Sequence, residues 1–175
     1  MNARDRVLQR FRWIDGDADI LGLFGDAPTL AAVVSALAEP FQADNITKVA
    51  AIEARGFVLG GAVATALNAG FVAIRKPGSL LPGDMFTHTS EPDYRGNTPT
   101  FFMQRHALGP DDRVLLVDDW AERGSQAQAA HSLIAAAGAT YAGLSIIVDQ
   151  LEPELRTALA PVVSIVAASE LPPLR

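Results

Sequence analysis

Residues 113–126 read Arg-Val-Leu-Leu-Val-Asp-Asp-Trp-Ala-Glu-Arg-Gly-Ser-Gln, and no other stretch of this chain constrains its fold as much. The four aliphatic residues Val114, Leu115, Leu116 and Val117 predict a strand covered on both faces. The strand ends in two adjacent carboxylates, Asp118 and Asp119. A short turn containing Gly124 follows, then an apolar, Ala-rich helix over residues 127–137. In an open α/β sheet, ligands bind outside the carboxyl ends of such strands. The N–H groups of the turn and of the helix start offer an anion site. Two carboxylates beside an anion cradle suit a ligand with vicinal hydroxyls and a phosphate, and ribose 5-phosphate is of that kind.

The rest of the chain alternates in the same way. Residues 48–53 and 70–75 read as strands around a Gly- and Ala-rich helix at 57–68, and residues 141–148 and 162–166 as strands around a short helix at 152–159. Residues 3–13 read as an amphipathic helix with Val7, Leu8 and Phe11 inward, and 15–19 as a turn. A helix runs from near Pro28 to about Phe41, capped by Asp26 or Thr29. Residues 76–110 contain several Gly and Pro and no long period, though 98–103 can form one strand of a hairpin. Long loops of this sort are uncommon unless functional. The expected fold class is α/β, an open, mainly parallel, twisted sheet flanked by helices with right-handed crossovers.

Composition narrows the function classes. With 175 residues, 49% of them hydrophobic, one domain over residues 1–175 with a sizeable core is expected. There is no Cys, which excludes disulfides, thiol catalysis and thiolate metal sites. A formal charge of −6 argues against nucleic-acid binding through a basic surface. No apolar run approaches the roughly 20 residues needed to span a bilayer, so no membrane association is expected. The first 19 residues alternate Arg and Asp with apolar residues, unlike a signal peptide, and the expected location is the cytoplasm.

Three stretches together carry a resemblance. They are Glu53-Ala54-Arg55-Gly56-Phe57, then Arg75-Lys76-Pro77-Gly78, then the double-acid strand. In that order they resemble the type I phosphoribosyltransferases and, among them, the adenine phosphoribosyltransferase family, over about residues 46–151. The resemblance implies the type I fold with a small N-terminal hood (residues 1–27) and a mobile loop (76–110). It implies transfer of phosphoribosyl from phosphoribosyl pyrophosphate (PRPP) to a purine or purine-like base, with Mg2+ as cofactor and a homodimer as the assembly. By the resemblance, Asp118 and Asp119 hold the ribose hydroxyls and face Mg2+ indirectly. Glu122, Arg123, Gly124, Ser125 and Gln126 surround the 5′-phosphate. Ala54, Arg55, Gly56, Arg75 and Lys76 take pyrophosphate, and Phe24, Arg55 and Trp120 face the base. Read without the motifs, the two acids are a solvated strand end that caps the next helix, and Arg75 and Lys76 a solvated pair of charges.

The chain also departs from the family. Where Thr-Gly-Gly-Thr is expected it has Arg123-Gly124-Ser125-Gln126. Gly124 still permits close backbone approach, Ser125 offers a hydroxyl and Arg123 a guanidinium suited to phosphate. Glu122 replaces a small apolar residue, at the position where hypoxanthine-guanine relatives place an Asp near purine N7. It is either a proton-transfer group or a first-turn carboxylate favoured by the helix dipole. A loop glutamate of the family aligns with Phe102, so it is missing or shifted to Glu91. The prolines of the hood are gone, leaving Trp13 or Phe24 to stack on a base or simply to pack in the core. These departures keep open an alternative, a non-catalytic sensor of PRPP or a nucleotide.

Overall fold

The computed structural model describes residues 1–78, 81–91 and 97–174. Its centre is a five-stranded, wholly parallel sheet in the order β4-β3-β7-β8-β9, with β3 Lys48–Ile52, β4 Gly70–Ile74, β7 Arg113–Ala121, β8 Thr140–Asp149 and β9 Val162–Ala167. Val114, Leu115, Leu116 and Val117 are all fully buried. Alternation splits them between two cores: Leu115 and Val117 pack with Leu59, Val63, Val33 and Leu37, while Val114 and Leu116 pack with Leu133, Ile134 and Ala130. One face is thus covered by α3 (Ala27–Ala38) and α4 (Arg55–Ala66), and the other by α5 (Ser125–Ala136). Burial on both faces explains why β7 reads as an unbroken aliphatic run.

Local signals account for the element ends. Asp26 caps α3, accepting from the Thr29 N–H at 3.0 Å and from its hydroxyl at 2.6 Å, and Pro28 sits in the first turn. Of the two candidate caps, Asp26 is the cap and Thr29 its donor. The α3 helix ends at Ala38, and a 3-10 turn, Glu39–Phe41, completes the expected span. Helix α1 (Ala3–Arg10) stops three residues short of its expected end. Trp13 lies instead in a two-residue strand, β1 (Trp13–Ile14), paired with β2 (Asp17–Ala18). Between them Asp15 and Gly16 both have positive φ (51° and 88°), the mirror-image turn that Asp-Gly favours. A short helix α2 (Ile20–Phe24), capped by Asp19, was not expected. Strand β7 runs on to Ala121, past both acids, because β8 extends to Asp149 and keeps a ladder partner beside it.

The 76–110 region contains a hairpin, β5 (Met85–Thr89) with β6 (Thr100–Gln104). Arg75 and Phe102 exchange two 2.9 Å backbone hydrogen bonds, which fasten the hairpin to the end of β4. Residues 79–80 and 92–96 of the expected mobile loop lie outside the described residues. A short helix α6 (Pro153–Ala158) joins β8 to β9. Among the described residues no helix is long and apolar enough to cross a membrane.

Candidate active site

From β3 the chain passes through α4 to β4, on one side of the sheet; from β7 it passes through α5 to β8, on the other. The carboxyl ends of β3 and β7 are therefore a topological switch point, where open α/β sheets leave a crevice. A cleft of about 690 Å3 lies there. Glu53, Arg55 and Gly56 line it after β3, Lys76 after β4, all of residues 118–126 along and after β7, Trp13 to Ala18 (without Ile14 and Asp15) from the N-terminal hairpin, and Gln150 after β8. Stretches spread from Trp13 to Gln150 in the sequence thus converge on one cleft.

The acids sit in unequal surroundings. The Asp119 side chain is 6% exposed, and its Oδ2 accepts from Arg55 Nε at 2.5 Å. Asp118 Oδ1 accepts the Asp119 N–H at 2.9 Å. Burial, and after it the neighbouring Asp119 charge, push the Asp118 carboxyl well above the ordinary carboxylate range, with the Lys76 ammonium opposing. Gly56 lets α4 begin this close to the strand, because a Cβ there would stand 3.1 Å from Asp118 Oδ1.

Glu53 organises the cationic side. Its Oε2 accepts from Arg75 Nε at 3.1 Å and from the Lys76 N–H at 3.0 Å, tying the end of β3 to the end of β4. Arg75 thus spends its guanidinium on Glu53 and is not among the residues lining the cleft, whereas Lys76 is. Ala54 does not line the cleft either. The Glu53–Ala54 peptide is cis.

The turn after β7 is built to leave donors unfilled. Gly124, with φ +67°, is the N-cap of α5, and no side chain caps that helix. The first helical bond here is Gln128 N–H to Gly124 O at 2.8 Å, so the N–H groups of residues 125–127 point out of the helix end. With the helix dipole they form an anion site. Gly124→Ala is expected to destabilise the fold by about 1–2 kcal/mol, the cost of a left-handed conformation in an L-residue. The new Cβ would also lie 2.8 Å from Leu151 Cδ2, although that flexible side chain can give way. Urea unfolding should show a lower midpoint with an unchanged slope.

At the N-terminal hairpin, Phe11, Trp13 and Trp120 form an aromatic cluster with ring centroids 5.1–6.1 Å apart. The Trp13 indole N–H donates to Pro172 O at 2.7 Å, and that of Trp120 to Gln150 Oε1 at 3.0 Å. Both tryptophans line the cleft. Phe24 packs against the core and does not line it. Sequence reasoning singled out neither Asp17 nor Gln150. The Asp15-Gly16 dipeptide could have signalled the hairpin that carries Asp17, and the position of Gln150 just past a strand's carboxyl end is its one cue. Glu91 lines a second hollow with Glu122 and Arg123. Among the described residues no group of three or more His, Cys, Asp or Glu is placed to hold a metal ion.

A switch-point cleft with a carboxylate pair, an uncapped helix start and a cationic loop defines a phosphoribosyltransferase of type I. No family model matches the chain. It is 41% identical over 137 residues to an adenine phosphoribosyltransferase of Maricaulis maris, covering 78% of this chain and 75% of that one. It is 40% identical over 153 residues to one from a Bradyrhizobium species, covering 85% and 84%. Among solved structures, the adenine phosphoribosyltransferase of Rhodothermus marinus superposes with a TM-score of 0.83 at 34% identity, covering 94% of this chain and 98% of that one. That of Giardia lamblia, complexed with 9-deazaadenine, gives 0.83 at 31%, covering 95% and 98%. The chain belongs to the adenine phosphoribosyltransferase family.

Proposed function

We propose that this chain transfers phosphoribosyl from PRPP to a ring nitrogen of a purine or purine-like base and releases pyrophosphate. Adenine, the base named for its relatives, is among the acceptors. The observation that carries this reading is the convergence of Asp118, Asp119, the 122–126 turn, Arg55 and Lys76 on one cleft. Asp118 and Asp119 accept hydrogen bonds from the ribose 2′- and 3′-hydroxyls. The N–H groups of Ser125 and Gln126, with the Arg123 guanidinium, hold the 5′-phosphate. Lys76, Arg55 and the 54–56 backbone receive pyrophosphate, and Arg75 holds Glu53 in place for them.

The bond from ribose C1 to the pyrophosphate oxygen breaks as the bond from C1 to the base nitrogen forms. The electron pair leaves with pyrophosphate, and the nitrogen's proton passes to a base, for which Glu122 is the candidate. Catalysis rests on positioning and on charge stabilisation around an electron-deficient C1. The donor chemistry of the cleft fits Mg2+: carboxylate oxygens at 118 and 119 suit a hard cation. Among the described residues no three-ligand protein cluster is present, so a bound ion would take most of its ligands from PRPP and water. When bound, the ion neutralises charge on the departing pyrophosphate. Residues 1–175 act as one domain, with 1–27 as hood and 76–110 as a closing loop. The polyanionic substrate does not cross bilayers unaided, so a cytoplasmic location accompanies the activity.

The test is pyrophosphate release with PRPP, Mg2+ and a panel of nucleobases. Release that requires both PRPP and a base is expected. PRPP binding without release for any base would favour the sensor alternative. The partner in a homodimer is a second copy docked on α4 and the β4 edge, where Val58 (47%) and Phe71 (41%) are exposed beside Phe57. Sedimentation should give a dimer at micromolar concentration, with about 800 Å2 or more buried per partner. Monomer alone would count against it.

A further inference from the structure

We propose that the segment at residues 168–172 is a strap that sets the base-side wall of the cleft, with Glu170 and Trp13 as its positioning residues. The proposal rests on the phosphoribosyl-transfer reading and concerns only how one wall is held. The hairpin of β1 and β2 pairs Trp13 with Ala18 and Ile14 with Asp17, and nothing more. The Asp19 N–H closes its base on Arg12 O at 3.0 Å. A two-stranded hairpin is at best marginally stable alone in water. This one nevertheless supplies Trp13, Gly16, Asp17 and Ala18 to the cleft. Arg55, Lys76, the two acids and the 122–126 turn are assigned to PRPP, which leaves the hairpin, beside Trp120, to face the base.

The hairpin is held from two sides. On the inner side the Trp13 ring packs on Phe11 and Trp120, with centroids 5.1 and 6.0 Å away. On the outer side it is held by the chain that follows β9. The Trp13 indole N–H, which can only donate, meets Pro172 O at 2.7 Å. The preceding residue, Leu171, is buried in the same core as Val7 and Phe11. Glu170 stands before it, on the 3-10 turn Ala168–Glu170. Its Oε2 accepts the Ala167 N–H at 2.7 Å, and its Oε1 accepts from Arg4 Nε at 3.2 Å. Three successive residues thus fasten to α1, to the core and to β1.

The polar ties are solvent-exposed, and such contacts add little to global stability. The hairpin has few other restraints, however. Loosening the strap therefore changes where Trp13 stands and leaves the rest of the fold as it is. A wall fixed before the base arrives spares binding the entropy of ordering it. Glu170 does not line the cleft, so its effect on the base passes through Pro172 and Trp13.

The experiment compares the parent, Trp13→Phe, Glu170→Ala and the double variant. Trp13→Phe keeps an aromatic face and loses the indole N–H. Adenine KM and kcat are measured with saturating PRPP and Mg2+, and PRPP affinity by calorimetry. Each single variant should raise adenine KM by about threefold to tenfold, the scale of one net hydrogen bond. PRPP affinity and kcat should stay near the parent values. Glu170→Ala should add little in the Trp13→Phe background, because the strap then has no indole to hold. The same split is read without turnover by titrating AMP and ribose 5-phosphate: the variants should weaken AMP and leave ribose 5-phosphate unchanged. Parent-like adenine KM and AMP affinity in Glu170→Ala, or equal losses for AMP and ribose 5-phosphate, would overturn the strap. Absence of turnover in the parent would instead sink the transfer reading, and the two titrations would still decide the strap.

Discussion

Asp118→Asn combined with Asp119→Asn should abolish PRPP binding while the chain still folds. Each substitution removes a charge-assisted hydrogen bond worth about 1.5–3 kcal/mol. The pair therefore costs roughly 10²–10⁴-fold in affinity, enough to erase binding in calorimetry. The folded chain loses much less. The Asp119 ion pair has a half-exposed partner in Arg55, whose side chain is 50% exposed, and such pairs contribute about 0–1 kcal/mol. Asp118 works in the other direction. Its carboxyl is raised by burial and by Asp119, so the folded chain holds that proton more tightly than the unfolded chain. The stability this contributes is present below the ordinary carboxylate range and is lost as pH rises through the raised value. Ionising the buried Asp118 carboxyl is therefore a cost to the fold that an amide avoids. Asp118→Asn alone should match or exceed the parent in thermal midpoint at pH 7, and the difference should shrink as pH falls. Unchanged PRPP affinity in the double variant would remove the basis of the ribose assignment. A site that sacrifices apo stability for ligand binding is the common pattern for function.

What could be read from the residues follows from how local each signal is. The aliphatic run at 114–117, the Asp26 cap and Gly124 act within a few positions, and each stands in the structure as its chemistry implies. The end of β7 was less legible. Nothing between Asp118 and Ala121 says that the strand continues, because the reason is the length of β8 beside it. The same limit applies to Arg75. Its pairing with Glu53 depends on β3 lying beside β4 with Ile52 opposite Ile74, a register between elements that no local pattern encodes. Two-residue strands such as β1 and β2 are too short to show any period, so Trp13 reads as the tail of a helix although it lies in β1 and lines the cleft. Gln150 lies at the cleft because β8 ends beside Ala121, whose carbonyl accepts its N–H, and its side chain is tied to Trp120, contacts made across two adjacent strands.

Glu122→Gln should lower turnover by roughly 10²-fold or more, the usual scale for a general acid–base group. The argument is one of elimination within the cleft. The acceptor base must shed a proton as its nitrogen bonds to C1. Asp118 and Asp119 are assigned to the ribose hydroxyls in the proposed reading, and Glu53 is tied to Arg75 and the Lys76 backbone. By the resemblance the family's loop glutamate aligns with Phe102, so it is missing or shifted to Glu91, and the backbone of Phe102 is bridged to Arg75. The other carboxylates on the cleft wall are Asp17, on the N-terminal hairpin, and Glu122, half-buried two residues past Trp120 in the turn after β7, where the proposed phosphoribosyl site lies. Glu91 shares a hollow with Glu122 and Arg123 but does not line the cleft, so Glu91→Gln is the matched control and should leave turnover near that of the parent. PRPP affinity in Glu122→Gln should hold or improve, since a negative charge beside the phosphate site is gone. A loss of kcat without a loss of PRPP affinity separates proton transfer from a structural role. Turnover equal to the parent would show that Glu122 is only a carboxylate favoured by the start of α5. A loss in Glu91→Gln instead would move the proton to the neighbouring hollow.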